Sequence, residues 1–211
     1  MTQPEPALPD PIPGFEAINR YWDRRSNVVA AKILPGQYYV TLRDEVVVTV
    51  LGSCVAACIR DVALGIGGMN HFMLPASRNV EGWDRTCAST SNRYGTFAME
   101  NLINEILKQG GRRERLEVKL FGGGRVLASV TDVGARNIAF VRDFVRRERL
   151  VVVSEDLGAT FPRKVRYQPA SGRARVKKLR NQHNDTILER ESAYRSELEK
   201  ADSSSGSVEL F

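Results

Sequence analysis

Two strand-like runs, VAACIRD and IGGMNHFML, flank the segment Asp61-Val62-Ala63-Leu64 and should fold back on each other as an antiparallel hairpin. Partners across a hairpin have residue numbers with a constant sum. Pairing Arg60 with Gly65 across a four-residue loop therefore also sets Cys54 opposite His71, on one face, with Cβ atoms about 4.5–5.5 Å apart. A slip of one residue would send the two side chains to opposite faces. The chain has two histidines, and His183 lies in a polar tail, so His71 is the imidazole available to Cys54.

Such a pair has a definite chemistry. A free thiol titrates near 8.5 and is mostly protonated at neutral pH, whereas only the thiolate attacks (roughly, by ordinary values). An adjacent imidazole can take that proton and later protonate a leaving group. Gly52 and Ser53 precede the cysteine, where a tight backbone could aim N–H groups at a developing oxyanion. The reaction class is acyl transfer through a thioester. Two other readings stay open on spacing alone. Cys54 and His71 could be buried core residues. A zinc site could draw on Cys54, Cys58, His71 and Cys87, but two cysteines four apart on one extended strand stand about 13 Å apart. Cys58 and Cys87 then read as bystanders.

The rest of the chain frames this hairpin. Residues 1–26 read as a proline-rich leader with a short docked segment, in which Phe15, Ile18, Tyr21 and Trp22 recur at helical spacing. Residues 27–180 read as the folded domain that carries the hairpin, and 181–211 as a polar tail, flexible or a lone helix. GQYYVTL and EVVVTVL read as strands, and residues 76–93 as a long loop of the kind that is often functional. YGTFAMENLINEILKQGG is an amphipathic helix stopped by Gly110. RLEVKLFGGG is a strand running into a glycine loop, Gly122 to Gly124, that matches no nucleotide-binding pattern. GARNIAFVRDFVRRE is a second helix, with Asn137 as a possible cap. LVVVSED reads as a buried strand, and RKVRYQP and RARVKKL form a hairpin around Ala170-Ser171-Gly172. This order predicts an α/β layered sandwich with mixed sheets and two main helices.

Charge and composition narrow the partners. Of 31 basic and 25 acidic side chains, three and seven lie from Asn181 onward, so residues 1–180 carry +10 and the tail −4. No zinc-finger spacing, aromatic RNP run or helix-turn-helix pattern accompanies the basic body, so nucleic acid is not the expected partner. No apolar run approaches the roughly 18 residues of a membrane span, and the N-terminus lacks a signal-peptide core. An odd number of cysteines fits reduced thiols. A cytoplasmic monomer without membrane insertion is expected.

LGSCVAACIRD followed by GGMNHFMLP resembles the CheD family of bacterial chemotaxis. The likeness continues through RYGTFAMENLINEIL, KLFGGG, GARNIAFV, SEDLGATFPRKV and SGRARVKKL, over roughly residues 27–180. The resemblance implies hydrolysis of glutamine side-chain amides on methyl-accepting chemotaxis receptors, giving glutamate and ammonia. It implies Cys54 as nucleophile, His71 as general base, no metal or organic cofactor, and a fold related to the catalytic domain of cytotoxic necrotizing factor toxins. It also implies a CheC-type phosphatase as a possible second partner, and an adaptor role toward receptors or that phosphatase as the alternative to catalysis. The family's third residue is a threonine six positions before the cysteine, where Val48 stands here. Thr49, five before, is carried over to orient His71, although one step along a strand reverses the face and would need a bulge near Gly52 to restore it. Receptor cytoplasmic domains are acidic helical bundles, so the basic body implies electrostatic steering that added salt would weaken.

Overall fold

The structure is a computed structural model, and it describes residues 6–74, 90–126, 133–179 and 184–204. One sheet contains β1 (Asn19–Asp23), β2 (Val28–Lys32), β4 (Glu45–Leu51), β9 (Arg163–Gln168) and β10 (Arg173–Lys178), in the order β1-β2-β4-β9-β10. The other contains β3 (Tyr38–Thr41), β5 (Val55–Asp61), β6 (Gly67–Asn70), β7 (Leu116–Gly122) and β8 (Val151–Leu157), in the order β3-β6-β5-β7-β8. Both are mixed, with β2 parallel to β4 and β7 parallel to β8.

The sheets pack face to face. Their shared core takes Ala31, Val47, Leu51, Val165 and Tyr167 from the first sheet and Tyr39, Cys58 and Met69 from the second. Helices α1 (Thr90–Lys108) and α2 (Val133–Arg147) cover the second sheet from its other side, against β3, β5, β6 and β8. β5 lies between these layers, which is why VAACIRD is buried on both faces apart from Arg60. A buried carboxylate joins the sheets: Glu45 accepts from Tyr39 Oη at 2.6 Å and from Arg20 at 2.7 Å. The α/β architecture with mixed sheets agrees with the sequence expectation.

Four details differ. The stripe around Tyr21 and Trp22 is not helical; it is β1, an integral strand, so the first sheet begins before residue 27. Asp23 makes the turn that sends it back, accepting from the Arg25 and Ser26 N–H groups, and Asn27 takes the left-handed backbone that closes it. LVVVSED is an edge strand rather than a buried one: its parallel pairing to β7 reads identically in sequence, but Val151 is 60% exposed.

The hairpin register is the third difference. Arg60 pairs with Gly67 rather than Gly65, and Cys58 with Met69. The four loop residues are Val62–Gly65, because Asp61 Oδ1 accepts from the Ala63 and Leu64 N–H groups and Gly65 has φ +68°. Arg115 pins Asp61 at 2.6 Å. The shift is by two in the sum, so Cys54 and His71 keep the same face but are diagonal neighbours, not direct opposites. The fourth difference is in the tail, expected to be flexible or a lone helix: it forms α3 (Asn184–Ser204), whose Glu191 and Leu198 are buried against the body.

Candidate active site

Cys54 ends the short crossing Gly52-Ser53-Cys54 that carries the chain from β4 in one sheet to β5 in the other. The three carbonyls of this crossing are all tied on one side. Gly52 O accepts from Gly124 N at 2.7 Å and Cys54 O from Gly123 N at 2.7 Å. Ser53 O accepts from Asn137 Nδ2 at 2.9 Å. With its carbonyls fixed, the backbone turns its three N–H groups together into the site, forming an anion nest. The glycine loop is required for this approach: Gly122 has φ +108°, and a Cβ there would lie 2.2 Å from Cys54 O.

Asn137 does not cap α2, the role expected from its place near the helix start: it lies in the second turn, and its side chain leaves the helix altogether. It is fully buried, and its Oδ1 also accepts from Leu74 N at 2.9 Å. It therefore joins the nest to the segment that follows His71. Asn137→Ala would strand the Leu74 N–H and the Ser53 carbonyl, and is expected to cost about 2–4 kcal/mol in urea unfolding. A loss under 1 kcal/mol (roughly the worth of one ordinary hydrogen bond) would show that both groups find other partners.

His71 is set from behind by the turn before β3. His71 N donates to Gln37 O at 2.9 Å and Gly36 N donates to His71 O at 2.8 Å. Thr49 Oγ1 lies 2.8 Å from His71 Nδ1 and donates its own proton to Ile33 O at 2.9 Å. With its proton committed there, the hydroxyl can only accept from the ring, so Nδ1 carries the hydrogen and Nε2 the lone pair. His71 Nε2 is buried without a hydrogen-bond partner among the described residues. No bulge is needed to bring Thr49 inward. Val48 packs with Ala30 and Val46 in a separate cluster, and the Gly52–Cys54 crossing resets the alternation between the sheets.

The nest is filled by a carboxylate that the sequence reading missed. Glu191 Oε1 accepts from Gly52 N at 2.8 Å and Cys54 N at 3.3 Å, and Oε2 accepts from Ser53 N at 2.8 Å and Ser53 Oγ at 2.7 Å. Sulfur, imidazole nitrogen and carboxylate oxygen of Cys54, His71 and Glu191 lie within 4.8 Å of one another. These three could present donors to a metal ion, although both Glu191 oxygens are already taken up by the nest. Cys58 is not part of the group; it is buried on β5. Cys87 and His183 lie outside the described residues.

Burial, then the charge and hydrogen bond of Glu191, push the Cys54 thiol well above its ordinary range. Burial pulls His71 down to about 4, against the opposing pull of the Glu191 charge. The pair in this arrangement is thus a neutral thiol beside a neutral imidazole, not an ion pair. A cavity of about 350 Å³ reaches Thr49, His71 and Glu191, with Lys32, Lys164 and Arg190 among its walls. This basic lining suits an acidic protein surface.

Known proteins match the chain over nearly all of its length. The family model described as CheD chemotactic sensory transduction matches residues 73–178. A probable chemoreceptor glutamine deamidase CheD of Halorhodospira halophila is 57% identical over 97% of this chain and 94% of its own length. The chain belongs to the CheD family. CheD proteins so named from Methylobacillus flagellatus and Hahella chejuensis are 53% and 46% identical, over 97% and 99% of this chain and 100% and 97% of theirs. The CheD family match begins just after His71, while the relatives extend across Thr49, Cys54 and His71. Among the described residues, no helix is long and apolar enough to cross a membrane.

Proposed function

We propose that this CheD protein is a chemoreceptor glutamine deamidase that works through Cys54, His71 and Thr49. The observation that carries the reading is the convergence of a thiol, an imidazole with a free Nε2 lone pair, and three N–H groups on one crossing. The relatives' names supply the substrate class, a glutamine side chain on a chemoreceptor.

His71 Nε2 takes the thiol proton as sulfur attacks the amide carbon. The oxyanion enters the nest of Gly52, Ser53 and Cys54. The C–N bond breaks, and ammonia leaves with the proton held on His71. Water, deprotonated by His71, then attacks the thioester carbon; the C–S bond breaks, the imidazolium returns its proton to the Cys54 sulfur, and glutamate leaves. Thr49 holds the Nδ1 proton throughout, so that Nε2 is the nitrogen that takes and returns protons. Thr49→Val, close in shape but without the hydroxyl, is expected to lower kcat about 10–100-fold with little change in KM. An unchanged kcat would remove Thr49 from the mechanism.

The test of function is peptide mapping by mass spectrometry of a receptor cytoplasmic fragment incubated with the protein. Glutamine converted to glutamate at defined positions is the expected result. A fragment left unmodified by protein with a titratable Cys54 thiol would overturn the proposal.

A further inference from the structure

The anion in the nest belongs to the chain itself. Glu191, Tyr194 and Leu198 recur at helical spacing along α3 and turn toward the body. Glu191 and Leu198 are buried, and the Tyr194 ring packs against Gly36, in the turn that brackets His71. The strands pair among themselves without α3, so its departure would break no ladder. The helix carries six acidic and three basic residues against a body of +10. Its seat is therefore side chains and charge.

Glu191 offers the side chain that glutamine deamidation produces. It comes from an α-helix, with its carboxylate on the donors that an oxyanion would use. A product side chain presented in this way shows how a substrate side chain on another helix would enter. We propose that α3 is the resident occupant of a helix-binding groove at the active site, with Glu191 a product analogue in cis, which a glutamine-bearing receptor helix must displace. This rests on the deamidase reading above and adds its regulation and the shape of its ligand. While α3 is seated, the apparent affinity for the receptor helix falls by the fraction of molecules with an open groove.

Full-length protein tests this through alkylation of Cys54 by iodoacetamide, a readout that needs no deamidation. Glu191→Ala removes the analogue. Leu198→Asp unseats the helix without touching the nest, which guards against a folding defect in the first variant. Both are expected to alkylate Cys54 at least about tenfold faster than wild type, and to lower KM for a receptor fragment more than they change kcat. Rates equal to wild type in both variants would overturn the proposal.

Glu191→Gln supplies a second arm. Sulfur of Cys54 should bond to the side-chain carbon at position 191 as ammonia leaves with the proton from His71, and water should then release the thiol. Position 191 is expected to return to glutamate, and to stay an amide when Cys54→Ala is added. An amide that persists with Cys54 intact would overturn the product pose. Faster alkylation without receptor deamidation by any variant would uphold the occupancy and remove the deamidase function. Receptor deamidation with unchanged alkylation would do the reverse.

Discussion

Cys54→Ala is expected to cut receptor deamidation by about 10⁴-fold or more, to the rate left by the nest and binding alone. In the proposed route the sulfur makes the bond that divides amide hydrolysis into two easier steps, and among the described residues Cys54 is the thiol grouped with His71. Ser53 is adjacent, but its hydroxyl lines the nest beside the Ser53 N–H, where both donate to one carboxylate oxygen of Glu191. The fold should survive. The side chain is small, and its loss leaves little cavity, so a cost of about 1 kcal/mol is expected in urea unfolding. Retained turnover in a well-folded Cys54→Ala protein would exclude a thioester route.

His71→Ala should lower kcat by about 10³–10⁵-fold with a much smaller change in KM, since in the proposed route the imidazole acts on the proton rather than on substrate binding. The loss should exceed that of Thr49→Val, because Thr49 works only through the ring. The variant also has a pH signature. Folding lowers His71 from an ordinary value near 6.5 to about 4. The unfolded chain therefore binds the proton more readily, so this contribution to stability is present above 6.5 and is lost as pH falls toward about 4. Thermal unfolding of wild type should weaken across that window, and His71→Ala should weaken less. Equal slopes would mean that the ring is not held neutral by burial.

The strands and two helices were legible because β-branched runs and the 3.6-residue stripe of Leu102, Ile103 and Ile106 are direct consequences of burial. The hairpin was legible, but its register was not: Asp61 caps the loop and Gly65 enters it, a local choice that alternation does not encode. Strand counting also suggested that Thr49 faced away from Cys54, because it treated β4 and β5 as one continuous alternation. The crossing at Gly52 ends the first sheet and starts the second. Asn137 and Glu191 were missed for a common reason. Each is a polar residue set within a buried stripe, Asn137 among Val133, Val141 and Phe144, and Glu191 ahead of Tyr194 and Leu198. A polar residue at a core position weakens the apolar pattern that would reveal the helix, yet it marks where the helix meets backbone that needs a partner. In Asn137 that partner is the nest's carbonyl side; in Glu191 it is the N–H side.

Hydroxylamine trapping tests the thioester route most directly. A receptor cytoplasmic fragment is incubated with the protein, with and without hydroxylamine, and its glutamines are mapped by mass spectrometry. A thioester on Cys54 should partition between water and hydroxylamine, giving glutamate and glutamyl hydroxamate at the same positions, with both absent for Cys54→Ala. Glutamate formed without hydroxamate at any hydroxylamine concentration, or either product formed by Cys54→Ala, would contradict catalysis by this cysteine.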